Sequence, residues 1–181
     1  MLKQRLFIGL SINNWISNIE TIQHQLEAEY ISWQKPESLH LTMVFIGEVD
    51  NKTTQKIYDI ISGNITQNLY HSFMLRAEKL FVLNHRHIVL NVVSPELFEL
   101  QKTLQDLLAQ EHIIQPEYNF NAHITIGKII KNPEQNNILL KSIQKIKTSI
   151  IKWQKLKISN IYLFESHPPK KYMPIHKFQL I

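Results

Sequence analysis

Apolar residues recur along this chain in two rhythms that keep exchanging places. Phe7 to Leu10 is a short apolar run that predicts a strand. Ser11, Asn13 and Asn14 follow, residue types that cap helices, and Trp15, Ile19, Ile22, Leu26 and Tyr30 then repeat at helical spacing. From Leu39 the period drops to two: Leu39, Leu41, Met43 and Phe45 alternate with His40, Thr42 and Val44. That is the pattern of a half-buried strand, with Gly47 and Asp50 as its stop. Ile57, Ile60, Ile61 and Ile65 then predict a second helix.

The same order of elements returns further on. Apolar stretches at Phe73 to Leu83 and Ile88 to Val93 predict a hairpin turning at Asn84 and His85. Ser94 and Pro95 suit the cap and first position of a helix whose stripe is Leu97, Leu100, Leu104, Leu107 and Leu108. Phe120 to Ile130 reads as a strand. Asn132 and Pro133, with Gln135 completing a capping box, open a helix through Leu139, Ile143, Ile146 and Ile150. Leu156 to Phe164 and Tyr172 to Leu180 are the last strands, on either side of Pro168 and Pro169. Both halves thus read strand, helix, strand, helix, strand, and His40 and His123 fall in matching strands 83 residues apart. The expectation is an α+β fold in which residues 1–181 form one domain by internal duplication. Two similar lobes, each a small and mostly antiparallel sheet backed by helices, would share a central cleft. The alternative is a single α+β sandwich whose element order repeats by chance.

Composition narrows the chemistry. The length of 181 residues fits one domain, and 44% apolar with 19% charged residues is a globular balance. A net charge of +5 favours anionic partners such as nucleotides or RNA. Seventeen of the twenty cations are Lys; Arg5, Arg76 and Arg86 are the only arginines, which limits bidentate phosphate forks. Cysteine is absent, excluding disulfides, thiolate metal sites and cysteine nucleophiles. No apolar run approaches the roughly 20 residues of a membrane helix, and Met1 to Leu10 lacks a signal-peptide core. The expectation is a soluble cytoplasmic protein.

One pattern exceeds chance. Nine His and eight Thr in this length should produce His-x-Thr ~0.4 times. It occurs twice, as His40-Leu41-Thr42-Met43 and His123-Ile124-Thr125-Ile126, in equivalent strands of the suspected repeat. Residues two apart on a strand share a face, so each His and Thr project together while Leu41, Met43, Ile124 and Ile126 turn inward. Either motif alone is most simply a half-exposed pair on a sheet. A two-fold relation between the lobes would instead bring both pairs together across the cleft. Two imidazoles and two hydroxyls suit a phosphodiester: one ring takes a proton from the nucleophile, the other protonates the leaving oxygen, and the hydroxyls donate to non-bridging oxygens. This arrangement requires no metal and no cofactor.

These motifs, with Arg5-Leu6-Phe7-Ile8-Gly9-Leu10, Trp33 to Gly47 and Phe120 to Lys128, resemble the 2H phosphoesterases over nearly the whole chain. Among these, the resemblance is to the RNA 2′,3′-cyclic phosphodiesterases, also called 2′-5′ RNA ligases. The resemblance implies a bilobal fold and hydrolysis of an RNA 2′,3′-cyclic phosphate to a 2′-phosphate, with joining to a 5′-hydroxyl as the lesser activity. It implies His40 as proton donor and His123 as the base that activates water. Two positions depart from the family pattern. Ala122 stands where proline is usual before the second His, and Lys128 stands where Arg usually follows it. Lys128 keeps a charge for phosphate but no bidentate fork, and strict alternation aims it away from His123 unless the strand bulges near Gly127.

Other candidates are weaker. His85 and His87 share a strand face but lack a third ligand, so they read as hairpin surface and no metal is expected. Trp33, Phe45, Tyr162 and Tyr172 read as core or rim rather than as groups that stack on bases. Lys141, Lys145, Lys147, Lys152, Lys155 and Lys157 form a basic stretch, either a solvated face or a guide for RNA. The expected partner is an RNA or oligonucleotide ending in a 2′,3′-cyclic phosphate, bound by a monomer. Two other functions fit the motifs: a 2H enzyme for linear 2′-5′ oligoadenylate or ADP-ribose cyclic phosphate, and a nucleotide- or RNA-binding module without turnover.

Overall fold

The computed structural model describes residues 3–26, 29–68, 70–117, 119–130, 139, 141–143, 146, 153–167 and 171–181. The chain begins with strand β1 (Lys3–Ser11), a 3-10 turn (Asn13–Trp15), helix α1 (Ile16–Gln25), the short strand β2 (Ile31–Trp33) and a second 3-10 turn (Pro36–Ser38). Strand β3 (His40–Asp50) and helix α2 (Asn51–Asn68) follow, then strands β4 (Phe73–Leu83) and β5 (His87–Val93), helix α3 (Pro95–Gln110) and strand β6 (His123–Ile129). Strands β7 (Leu156–Ile158), β8 (Asn160–His167) and β9 (Lys171–Gln179) complete the described elements.

Every strand pairing among the described residues is antiparallel. The sheet runs β7-β4-β5-β6-β3-β1-β8-β9, with β2 also on β6. Its midpoint is thin: β3 and β6 are joined by one ladder pair, Leu41 opposite Ile124. Beyond that pair β6 turns to β2, with Trp33 opposite Gly127. The fold class is the α+β one expected, but the strands around the junction are not consecutive halves of the chain. The single strand expected at Leu156 to Phe164 breaks at Ser159: β7 pairs with β4, whereas β8 crosses to β1 and takes β9 with it.

Local chemistry accounts for the elements. Ser94 caps α3, its Oγ accepting from the Leu97 N–H at 3.4 Å, with Pro95 next. The Asp50 carboxylate accepts the Thr53 N–H at 2.8 Å and so caps α2. Asn84 and His85 both adopt left-handed φ (49° and 54°), which turns the β4–β5 hairpin with the twist its strands need. Trp15 does not enter α1 by a polar cap; it is buried, and its indole N–H donates to the Gln154 carbonyl at 2.9 Å. That helix ends at Gln25, so Tyr30 lies beyond it.

The core is continuous, from Leu6, Ile8 and Leu10 on β1 through Ile57 and Ile61 on α2 to Leu97, Leu100, Leu104 and Leu108 on α3. Leu107 sits half-buried at the edge of that stripe. The capping box at Asn132, Ile150 and the Pro168–Pro169 turn lie outside the described residues, but Leu139, Ile143 and Ile146 are buried as expected. No described helix is long and apolar enough to cross a membrane.

Candidate active site

His40 and His123 are the first residues of β3 and β6. Continuing the Leu41–Ile124 register one step in each direction sets His40 opposite Thr125 and Thr42 opposite His123. All four are half-buried, while Leu41, Met43, Ile124 and Ile126 between and after them are buried. The structure therefore brings the two predicted pairs to one place, the thin midpoint of the sheet.

The two imidazoles are anchored alike. His40 Nδ1 lies 2.8 Å from the carbonyl oxygen of Ser38, and His123 Nδ1 lies 2.7 Å from that of Asn121. A carbonyl only accepts, so each Nδ1 carries the hydrogen of that bond, which leaves each Nε2 as the acceptor nitrogen of the neutral ring. The same bond two residues upstream fixes the orientation of each ring.

Both motifs end in a bulge at the same place. Opposite β1, Thr42 pairs with Gly9 and Val44 with Ile8, leaving Met43 over; opposite β5, Thr125 pairs with Val89 and Gly127 with Ile88, leaving Ile126 over. An extra residue inverts the faces that follow it. Val44 is consequently buried and Phe45 is 51% exposed, the reverse of strict alternation. On β6 the shift returns Lys128 to the half-exposed set with His123 and Thr125, the condition its expected role required.

Two glycines let other elements close on the motifs. A Cβ on Gly9 would lie 2.5 Å from the Leu41 carbonyl oxygen, and one on Gly127 would lie 2.6 Å from the Trp33 indole. The buried Gln23 of α1 secures the second bulge: its Nε2 donates to the Ile126 carbonyl at 3.0 Å and to that of Gln34 at 2.9 Å. The Gln34 N–H also donates to the Ile126 carbonyl at 3.0 Å.

The surroundings of the two histidines differ. His40 stands among Phe7, Phe164 and Tyr172, at ring-centroid distances of 4.9, 6.3 and 4.4 Å. Burial there pushes its pKa below the ordinary imidazole range; the Ser38 bond opposes this and the charge of His123 adds to it. His123 instead borders an open cleft with Thr42, Phe45, Gln101, Phe120 and Asn121. Phe45 holds the Arg5 guanidinium 5.2 Å over its ring. Phe45 and Tyr172, read from the sequence as core or rim, stand beside the histidines: Phe45 is turned outward by the bulge in β3, and Phe164 and Tyr172 reach His40 on strands paired through β1. His85 and Arg86 are exposed hairpin residues, and no group of metal-ligating side chains occurs among the described residues. Lys141, Lys155 and Lys157 are exposed; Lys145, Lys147 and Lys152 lie outside the described residues.

A family model described as LigT-like phosphoesterase matches residues 12–80, which include the first motif. A curated relative from Methanothermobacter thermautotrophicus is 26% identical over 149 residues, 78% of this chain and 79% of its own length. Another, from Thermotoga maritima, is 26% identical over 145 residues, 77% of each chain. Each is named RNA 2′,3′-cyclic phosphodiesterase. On these matches the chain is similar to the LigT-like phosphoesterases. Solved LigT-like structures share its fold: Escherichia coli LigT complexed with 3′-AMP has a TM-score of 0.77 at 18% identity, covering 99% of both chains. A protein of Thermus thermophilus scores 0.78 at 16% identity, covering 97% of both.

Proposed function

We propose that this chain is an RNA 2′,3′-cyclic phosphodiesterase that opens a terminal cyclic phosphate to a 2′-phosphomonoester. The observation that carries this reading is the matched pair of imidazoles, each with Nδ1 tied to a carbonyl and Nε2 left to move a proton. Residues 1–181 act as one domain on this reading, with one lobe presenting residues 40–43 and the other residues 123–126.

In the proposed step His123 Nε2 takes a proton from water as the water oxygen bonds to phosphorus. The phosphorus–O3′ bond breaks, and His40 Nε2 delivers its proton to O3′. Burial among aromatic rings and the like charge of His123 make His40 the readier proton donor, and an anionic phosphate in the cleft favours the protonated ring. Electrostatic coupling between the rings favours states in which one of the two carries the proton. Thr42 and Thr125 donate to the non-bridging oxygens, and the Lys128 ammonium attracts the phosphate as a point charge. The acid–base pair itself supplies both proton transfers, so a metal is not needed for them. With a 5′-hydroxyl in place of water the same step joins two strands through a 2′-5′ bond.

The test is a short RNA ending in a 2′,3′-cyclic phosphate, incubated with the protein in EDTA. The expected product is the 2′-phosphate, lost in His40→Ala and His123→Ala. A 3′-phosphate, or no product, overturns the proposal.

A further inference from the structure

A second cavity lies on the His40 flank of the site, away from the cleft that borders His123. Trp33, Lys35, Glu37, Ser38 and Lys171 are among its lining residues. Its walls are tied to the histidine. Ser38 is the residue whose carbonyl holds His40 Nδ1, and Lys171 is the chain neighbour of Tyr172, whose ring meets the His40 ring at 4.4 Å. The turn Pro36–Ser38, which carries Glu37 and Ser38, packs against β9, which carries Lys171. Trp33 lies over Gly127, its indole occupying the space a side chain there would need.

The cavity joins features that recognise a nucleotide. Trp33 contributes a half-buried indole, and a base stacks on such a surface without sequence preference. Lys35 and Lys171, both flanking the cavity, supply two ammonium groups against the one carboxylate of Glu37. That leaves a net positive site suited to a single phosphodiester. Glu37 adds an acceptor for a ribose hydroxyl or a base amino group.

The stereochemistry of the proposed reaction says which nucleotide this is, and the inference rests on that reading. In an in-line displacement the nucleophile and the leaving O3′ lie on opposite sides of phosphorus. The O3′ side belongs to His40. C4′, C5′ and the next phosphate of the RNA hang from the same C3′ that carries the leaving oxygen, so the chain leaves the site past His40. We infer that the cavity formed by Trp33, Lys35 and Lys171 is a subsite for the nucleotide preceding the cyclic end. Its phosphate lies between the two lysines and its base lies on Trp33. The enzyme then reads an RNA end of two nucleotides rather than a free cyclic mononucleotide.

The test compares a nucleoside 2′,3′-cyclic monophosphate with a dinucleotide ending in the same cyclic phosphate, using the full chain. The expected kcat/KM is about tenfold or more higher for the dinucleotide, with a salt slope steeper by about 0.7 for one extra phosphate contact. Lys35→Gln combined with Lys171→Gln should abolish most of that preference while leaving the mononucleotide within about twofold. A dinucleotide whose internal linkage is an uncharged methylphosphonate should behave towards the unaltered protein as the phosphodiester does towards the double variant. Equal turnover of mononucleotide and dinucleotide, or an equal loss on both in the double variant, overturns the subsite and leaves the proposed activity standing. No turnover of either substrate overturns the proposed activity and the subsite with it.

Discussion

Tyr172 meets His40 edge-on, with ring centroids 4.4 Å apart, and so helps to exclude water from one of the two paired imidazoles. Burial is the largest cause of the lowered His40 pKa. The His40 titration midpoint, followed by NMR of the ring nitrogens, should therefore lie below 6.5. It should rise in Tyr172→Ala, which admits water, and in His123→Ala, which removes a like charge. An unchanged midpoint in both variants would refute this origin.

The same shift predicts how stability depends on pH. The folded state binds the His40 proton less readily than the unfolded chain, so the unfolded state gains protons first as pH falls below about 6.5. The contribution of His40 is fully present above that value and is lost as pH drops through the lowered folded pKa. Urea midpoints measured from pH 7.5 down to 5 should decline, and less steeply in His40→Gln. A His40→Gln profile parallel to that of the original chain would exclude His40 as a source.

The threonines should act on the transition state. Thr42→Val and Thr125→Val keep the side-chain shape and remove only the hydroxyl, so each should lower kcat on the cyclic phosphate by about 10²-fold with little change in KM. A pure KM effect would assign the hydroxyls to ground-state binding instead.

The glycines predict an order of stabilities. Gly9→Ala drives a Cβ against the Leu41 carbonyl, which is backbone and cannot swing away, and should cost about 2–3 kcal/mol. Gly127→Ala meets the Trp33 ring, which can yield, and should cost about 1–2 kcal/mol. Gly63→Ala on α2 meets nothing within 4 Å and should gain about 0.5–1 kcal/mol. Chemical denaturation of the three variants checks the ranking.

Gln23→Leu should be destabilising by about 1–3 kcal/mol, since the Gln34 carbonyl loses the amide that donates to it. Turnover should fall as well, because the same amide steadies the bulge after Thr125. Gln23→Glu should not rescue either loss, as a carboxylate cannot donate. Full activity in Gln23→Leu would show the bulge to be held by the Gln34 N–H alone.

Much of the site was legible because its signal is local. His40 with Thr42 and His123 with Thr125 share faces by strand geometry alone, and the positions flanked by aliphatic residues marked the strands. The Asn84–His85 turn and the Ser94 cap were legible for the same reason: each is settled within four residues. What the sequence could not reveal depends on pairing between distant segments. The bulges at Met43 and Ile126 exist only relative to β1 and β5, so alternation alone puts Phe45 on the wrong face. The break at Ser159 arises because β4 and β1 claim the two sides of one apolar run. Tyr172 comes to His40 through three strands, and no spacing along the chain records that.

The crossing of β8 and β9 to the first strand has a consequence in time. A growing chain contains both His-x-Thr pairs once residue 126 is made, yet Phe164 and Tyr172, two of the three rings around His40, are still to come. The surroundings of His40 are therefore complete only after residues 160–179 are made, when β8 docks on β1 and β9 on β8. A chain cut short before them carries both His-x-Thr pairs but lacks two of the rings that shield His40.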